Sequence, residues 1–453
     1  MPGGTFDRLV SKIRPGTYIN FESARGGLLG RAQRGTVLLP LINHSYGPEK
    51  EFITLDISAP DAQYKQLGFS IFDKDPAMLL IRETFKNAAQ ILVYIPRQGA
   101  KAIGTIGSLS MSAVHGGSRG NELTVTITEN TTEGFDVSIF LGSLAVYDYF
   151  GVETVADLIA EENGWIKFTG AGDLEINAGT KLTGGTNGIA TNGDIATFIE
   201  TSESHRWNTM AFPMAVSGEL NDPVPALLEM VVSKIKYLRE SAGKYRKAVI
   251  SGHYADYEGV INVTNGVELN DGTQLDAAQV TAWVAGIDAA ATNTQSNTHR
   301  VYAGAVNIIG YKNDEASTEA IRNGEFFFTF NEDGEVIVQY DINSLTTLTE
   351  HKDNTYKKNR TIRVFDSFSE WIKRNLPPNK FDNSKEGWDI MEGIGRAGLR
   401  EFGPDGVGAI KNIDYEADFR VDRTSSTGDD TYFDVGLEPM ESSEKMYFTV
   451  VTR

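Results

Sequence analysis

The chain has 453 residues, 42 Lys and Arg against 61 Asp and Glu, and no cysteine. That length exceeds a single hydrophobic core and implies roughly two to four domains. A net charge of −19 disfavours nucleic acid or an anionic membrane as the main partner, and the missing cysteines exclude disulfides and thiolate metal sites.

The first strand signal is Arg14-Pro-Gly-Thr-Tyr-Ile-Asn-Phe-Glu22, with Thr17, Ile19 and Phe21 on one face and Tyr18, Asn20 and Glu22 on the other. Before it, Met1-Pro-Gly-Gly-Thr-Phe-Asp7 lacks the basic-then-apolar pattern of a secretory signal. No apolar run approaches the roughly 20 residues that span a bilayer. Synthesis and assembly in a cytoplasm are expected. A glycine-rich link, Ala24 to Arg31, leads to Gly35-Thr-Val-Leu-Leu-Pro-Leu-Ile42, which reads as a buried strand. Asp75-Pro76 fits an N-cap followed by proline in the first turn, and Met78, Ile81, Phe85 and Ala88 give helical spacing. With the strand Ile91–Ile95, residues 26–95 read as a small α/β unit.

From 96 to 185 the pattern becomes short alternating strands such as Glu122–Thr128 and Phe135–Phe140, interrupted by a helix Val155–Glu162. This predicts a β-sandwich or small barrel. The Gly/Thr/Asn stretch Gly179 to Asn192 marks a boundary. Beyond it the helices Asp194–Thr201, Pro223–Ser241 and Asp276–Ala291 alternate with strands Met210–Val216, Lys247–Ser251 and Glu335–Asp341. Such alternation predicts a mainly parallel, helix-covered sheet over 186–349, with Asn331-Glu-Asp-Gly334 as a hairpin turn. Residues 350–453 add helices Ile362–Arg374 and Gly387–Phe402, then the strands Ala417–Arg423 and Thr431–Glu438. The chain finishes on a β-branched and aromatic strand, Met446 to Thr452.

Both terminal strands lack a local partner. An unpaired strand end offers backbone N–H and C=O groups to another chain, and strand addition between identical copies satisfies them. Charge is also uneven: residues 343–374 carry seven Lys/Arg and four Asp/Glu, and residues 413–446 three Lys/Arg and ten Asp/Glu. Head-to-tail association suits this asymmetry; two solvated faces are the other reading.

Motifs for catalysis are missing. His44, His115, His205, His253, His299 and His351 stand at no zinc-binding spacing, and no GxSxG elbow, CxxC or P-loop occurs. The P-loop echo at Gly243-Lys244 lacks its upstream glycine and the following Ser/Thr. Leu182-Thr-Gly-Gly-Thr-Asn-Gly188 could cradle an anion through backbone N–H groups or be a structural turn. No catalytic residue, cofactor or metal ligand is assigned, and the chain is read as a non-enzyme.

Five segments in order make the chain resemble contractile phage tail sheath proteins and the sheaths of phage-tail-like bacteriocins. They are Arg14–Ile19, His115-Gly-Gly-Ser-Arg-Gly-Asn121, Lys181–Gly188, Gln339-Tyr-Asp-Ile-Asn-Ser-Leu345 and Leu437–Val450. The resemblance implies an α/β and α+β multidomain fold. Its parts would be an N-terminal arm (1–25), a discontinuous inner α+β domain (26–95 and 350–453, the latter carrying the C-terminal arm), a β-sandwich (96–185) and a subtilisin-like α/β domain (186–349). It implies arms that join the sheets of neighbours through Thr17, Tyr18, Ile19, Asn20, Phe21 and Glu22 and through Met446, Tyr447, Phe448, Thr449, Val450, Val451 and Thr452. Phe419, Val421, Phe433, Val435 and Leu437 lie on the expected accepting strands. Lys357, Lys358, Arg360 and Arg363 are candidates for touching the inner tube or an acidic neighbour, or simply a solvated basic face. Hexameric rings stacked helically, a tube protein, a baseplate and a tail terminator are the implied partners, with the virion tail as location. A tail-associated glycan-binding or glycan-degrading protein is the competing class, for which Tyr147, Tyr149, Phe150, Trp165 and Phe168 would supply the aromatic surface. The sheath of a cellular contractile injection system is a further alternative.

Overall fold

The computed structural model describes residues 35–59, 62–130, 132, 134–217 and 222–451, together with two short strands, Gly3–Gly4 and Thr17–Tyr18. It is a mixed α/β protein with several sheets. The largest has seven strands in the order Glu325–Phe326, Val260–Val263, Lys247–Ser251, Thr209–Ala211, Thr36–Pro40, Gln90–Tyr94 and Phe52–Asp56. All neighbours are parallel except the last pair.

Both faces of this sheet are covered, which explains why its strands are apolar throughout and not alternating. Val37, Leu39, Ile91, Val93 and Val249 pack against Met78, Ile81 and Phe85 of the Pro76–Phe85 helix and Trp283 and Ile287 of the Thr281–Ala290 helix. On the opposite face Leu38, Leu92, Met210, Ala248 and Ile250 meet Ile195 and Phe198 of Asn192–Thr201 and Leu228, Val231 and Ile235 of Val224–Lys236. The Asp75 carboxylate accepts from Ala77 N and Met78 N at 2.8 and 3.2 Å, capping the first of these helices as the sequence predicts.

Several expectations are corrected here. The described strands within residues 35–95 do not form a sheet of their own: they are three of the seven in the sheet completed by residues 209–326. The strand expected at Met210–Val216 stops at Ala211, just before Pro213 removes a donor. Glu335–Asp341 does not join the parallel sheet; Val336–Val338 folds back on Phe328–Phe330 as an antiparallel hairpin. The Asn331 carboxamide oxygen closes that turn by accepting from Asp333 N and Glu335 N at 3.1 and 2.7 Å. The expected helix from Asp276 starts only at Thr281, because Asp276 is spent on a turn with Gln279.

Residues 103–181 form two sheets around one core. Four strands run in the order Leu144–Val152, Phe135–Leu141, Leu123–Glu129 and Asn177–Lys181; three run Ile166–Gly170, Leu109–Ala113 and Ile103–Ile106. Leu123, Val125, Ile127, Val137 and Ile139 face Met111, Trp165, Ile166 and Phe168 between them.

The C-terminal region packs the helices Asn359–Asn375 and Lys385–Phe402 around Phe368, Trp371, Leu399 and Phe419. Two small ladders complete it: Ile410–Lys411 with Glu438–Pro439, and Phe419–Val421 with Phe433–Val435. Gly395 is required here, since a Cβ would stand 2.0 Å from the Phe419 ring.

Candidate assembly interface

The tail of the chain changes character at Glu444. Before that residue it is held down. Met440 N donates to Ala409 O at 2.8 Å, and Arg360 Nη1 donates to Ser442 Oγ at 2.6 Å. Glu444 Oε1 accepts from Ser296 Oγ at 2.8 Å and Thr298 Oγ1 at 2.7 Å, and Oε2 pairs with the Lys358 ammonium. Lys358 in turn lies 4.0 Å from the Tyr340 ring centroid. Burial alone would raise the Glu444 carboxyl, but the bonds from Lys358, Thr298 and Ser296 outweigh it and hold it below its ordinary value. Lys358 is held above its own ordinary value against burial, by Glu444 and Tyr340. The root of the arm is thus clasped by the 296–298 and 340 loops and by the start of the Asn359–Asn375 helix.

Beyond Glu444, residues 445–451 have no hydrogen-bond or ion-pair partner of this kind among the described residues. Residues 445–451 form no ladder, and Tyr447 and Val450 are 90% and 86% exposed, with Met446, Phe448 and Val451 nearly as open. Met446, Phe448 and Val450 alternate with Tyr447, Thr449 and Val451, so an extended ribbon is apolar on both faces. Burying one such side chain is worth about 1.5–3 kcal/mol, and the backbone needs hydrogen-bond partners as well. A sheet edge with free backbone groups and an apolar face would meet both demands. Thr452 lies outside the described residues. At the other end Thr17 and Tyr18 pair locally, in a short ladder parallel to Gly3–Gly4, which corrects the expectation that this strand has no local partner; Ile19, Asn20, Phe21 and Glu22 lie outside the described residues.

The expected accepting residues divide. Phe419 and Val421 are buried against the Lys385–Phe402 helix, where Glu392 Oε1 accepts from Val421 N at 3.0 Å. That side of the hairpin is closed. The outer side of Phe433–Val435 has no strand neighbour among the described residues, and Val435 is exposed. Leu437 is half-buried between the two ladders.

The four cations do not share one solvated basic face. Lys358 and Arg360 hold the arm root. Arg363 is buried, its Nη1 donating to the carbonyls of Thr292 and Gln295 at 3.2 and 2.9 Å and its Nη2 to Asp288 at 3.3 Å. Only Lys357, half-buried, has no such role. Their partners lie far away in sequence, so the local charge run reads as a solvated face.

Arg363 belongs to a buried ionic seam. Lys247 Nζ donates to Asp288 Oδ1 at 2.6 Å and to Asn359 Oδ1 at 2.9 Å. Asn359 Nδ2 donates to Asp341 at 2.9 Å. Arg239 adds a two-pronged bond to Asp366 at 2.7 and 2.9 Å. Burial pushes the Lys247 ammonium down, whereas Asp288 stays below the ordinary carboxylate value because Lys247 and Arg363 overcome its desolvation. The first C-terminal helix is therefore welded to the seven-stranded sheet. Nothing in the sequence pairs these residues; only the fold does.

The remaining candidates resolve into structure. Gly185 N donates to Asn121 Oδ1 at 2.8 Å and Gly188 N to Ser45 Oγ at 3.0 Å, so these N–H groups of the Leu182–Gly188 loop are spent on the protein. The same loop meets the 115–121 segment, Asn187 accepting from Ser118 N at 2.9 Å. Tyr149, Trp165 and Phe168 are core; Tyr147 is half-buried and only Phe150 is strongly exposed. Among the described residues no three His, Cys, Asp or Glu are grouped to hold a metal ion, and no helix is long and apolar enough to cross a membrane.

Three family models match successive stretches of the chain. A phage tail sheath protein beta-sandwich domain matches residues 97–187, a phage tail sheath protein central domain 188–344, and a phage tail sheath C-terminal domain 351–453. The phage-like element PBSX protein XkdK of Bacillus subtilis (strain 168) is 33% identical over 99% of both chains. The crystal structure of a sheath tail protein from Desulfitobacterium hafniense superimposes with a TM-score of 0.81 at 34% identity, covering 96% of this chain and 99% of that one. The helical sheath of the anti-feeding prophage in its contracted state shares the fold at 14% identity, with a TM-score of 0.55 over 98% of this chain and 100% of that one. The chain belongs to the phage tail sheath protein family, whose members are structural subunits.

Proposed function

We propose that this subunit polymerises around a tail tube by lending its terminal ribbons to neighbouring copies, and that the resulting sheath contracts to drive the tube through a host envelope. The observation that carries this reading is the ribbon after Glu444: apolar on both faces, solvent-exposed, and leaving a root that is firmly held. The open edge at Phe433–Val435 is the receiving strand. A heterologous contact of this kind does not close on itself and generates a filament. We assign hexameric rings stacked helically, with baseplate and terminator at the two ends, in a virion tail built in the host cytoplasm.

Contraction follows from the contrast between rigid body and lent ribbon. Main-chain bonds in a shared sheet keep subunits linked while the bodies slide and rotate. The energy is the difference between two packings of the same bodies, with the extended one kinetically trapped. A few kcal/mol per subunit, typical of coupled switching interfaces, sums to hundreds over many rings. The helix-covered sheet fits the subtilisin-like domain that the resemblance implies; the mechanism uses no hydrolytic chemistry, cofactor or metal.

Negative-stain electron microscopy of the purified protein tests the reading. Striated hollow tubes are expected from the full chain and only soluble monomers after deletion of residues 445–453. Tubes from the truncated protein would refute strand lending at the C-terminus.

A further inference from the structure

Beside the arm root lies a groove of about 320 Å³ between the 350–356 loop and residues 437–441. Half-buried Tyr356, Phe365 and Leu437 line it together with the exposed carboxylates Glu350, Asp353 and Glu441, and His351 and Lys411 also border it. Glu438 also lines it but is neutralised by Lys411 at 3.2 Å. Asp353 caps the turn that follows, accepting from Thr355 N at 2.9 Å. Glu350 and Glu441 are exposed and have no ion-pair partner among the described residues.

The chain contains a segment of matching chemistry. Arg8-Leu-Val-Ser-Lys-Ile-Arg14 carries three cations and no acid, and it supplies Leu9, Val10 and Ile13 as apolar side chains. Two residues later comes the Thr17–Tyr18 strand, which pairs with Gly3–Gly4 and, among the described residues, with none of the sheets of the body. We propose that this groove is the seat for residues 8–14 of a second copy of the chain. Arg8, Lys12 and Arg14 pair with Glu350, Asp353 and Glu441, and the apolar side chains cover Tyr356, Phe365 and Leu437. The inference rests on the strand-lending reading and adds to it a charged anchor that sets which groove an N-terminal arm enters. Seated there, the arm strand runs next to the Glu438–Pro439 ladder. Charge complementarity of this kind governs encounter and register more than final affinity, so it acts chiefly on assembly rate and its salt dependence.

The absence of cysteine makes a direct test available. Full-length Lys12→Cys and Glu441→Cys proteins are mixed under assembly conditions and mildly oxidised. The expected product is a disulfide-linked heterodimer of twice the chain mass, formed far faster than in either protein alone. In parallel, Glu350→Lys/Glu441→Lys is expected to slow tube formation at least tenfold at low salt. Combining it with Arg8→Glu/Lys12→Glu is expected to restore the rate. Normal tubes without the heterodimer, or an intramolecular link as the sole product of the Lys12→Cys/Glu441→Cys double variant, would overturn the groove assignment while leaving strand lending intact. Failure of the unsubstituted protein to form tubes overturns both.

Discussion

Glu444 and Lys358 meet across 86 residues of chain, a half-buried carboxylate and ammonium that close the clasp on the arm root. One belongs to the tail and the other to the turn before the Asn359–Asn375 helix. The pair marks where the fixed body ends and the free ribbon begins. The helix that follows Lys358 is tied in turn to the Lys247–Asp288–Arg363 seam.

Breaking the clasp exposes its worth. Glu444→Gln leaves Lys358 with a weaker partner, and Lys358→Met strands the Glu444 carboxylate. Each is expected to lower unfolding free energy by about 1–3 kcal/mol, with the double variant costing less than the sum. Urea titration of the four proteins completes the cycle. Fully additive losses would show that the two side chains do not act on each other.

The seam is a stiffer test. Asp288→Asn leaves Lys247 and Arg363 buried without their shared counter-charge, and a loss of about 3–5 kcal/mol is expected. Calorimetry should show a lowered melting transition. A drop below about 1 kcal/mol would mean that water enters the seam and screens it.

Removing residues 445–453 is expected to leave the isolated subunit unchanged within about 0.5 kcal/mol, because the described part of the ribbon makes no packed contact with its own body. Equal urea midpoints for truncated and full-length monomers check this. A destabilised truncation would indicate that the ribbon folds back in solution.

Two histidines contribute to acid sensitivity in the range above that of the carboxylates. Burial lowers His44, whose Nε2 lies 3.1 Å from Leu67 O, and lowers His115, beside Tyr46, to about 4, with Lys101 adding to the effect. Both are neutral in the fold and become charged more readily when unfolded. Their contribution is therefore whole above pH 6.5, the ordinary histidine value, and declines as pH falls towards the folded values. Allowing for solvent around His115, its share is about 1–2 kcal/mol. Stability measured between about pH 7 and 5, where most carboxylates stay ionised, should fall less steeply in His115→Gln than in the unsubstituted protein.

Much of the architecture is legible in local pattern. The unbroken apolar runs at Thr36–Pro40 and Gln90–Tyr94 announce buried strands, and Asp75-Pro76 announces a helix start. What the pattern does not carry is which sheet a strand joins. Val336–Val338 has the composition of a central parallel strand, yet the Asn331–Gly334 turn returns it to Phe328–Phe330. The basic run misleads for the same reason. Arg363 and Lys358 look solvated until the fold brings Asp288 and Glu444 to them. The unpaired C-terminal ribbon is legible because its chemistry is anomalous wherever it is placed. Its clasp on Ser296 and Thr298 is not, since those hydroxyls are unremarkable in sequence.

The two-sheet lobe of residues 103–181 interrupts the seven-stranded sheet between Gln90–Tyr94 and Thr209–Ala211, and its two connections run side by side. Ile103 and Thr183 exchange backbone bonds at 2.8 and 2.9 Å, and Ala100 bridges Thr186. Entry and exit thus form a narrow neck that contributes no strand to the sheet below it. A foreign domain with closely spaced ends could be spliced there without disturbing strand order, provided it also covers Tyr46 and Tyr64, which pack into the lobe's core. A sheath decorated at every subunit would follow from one graft.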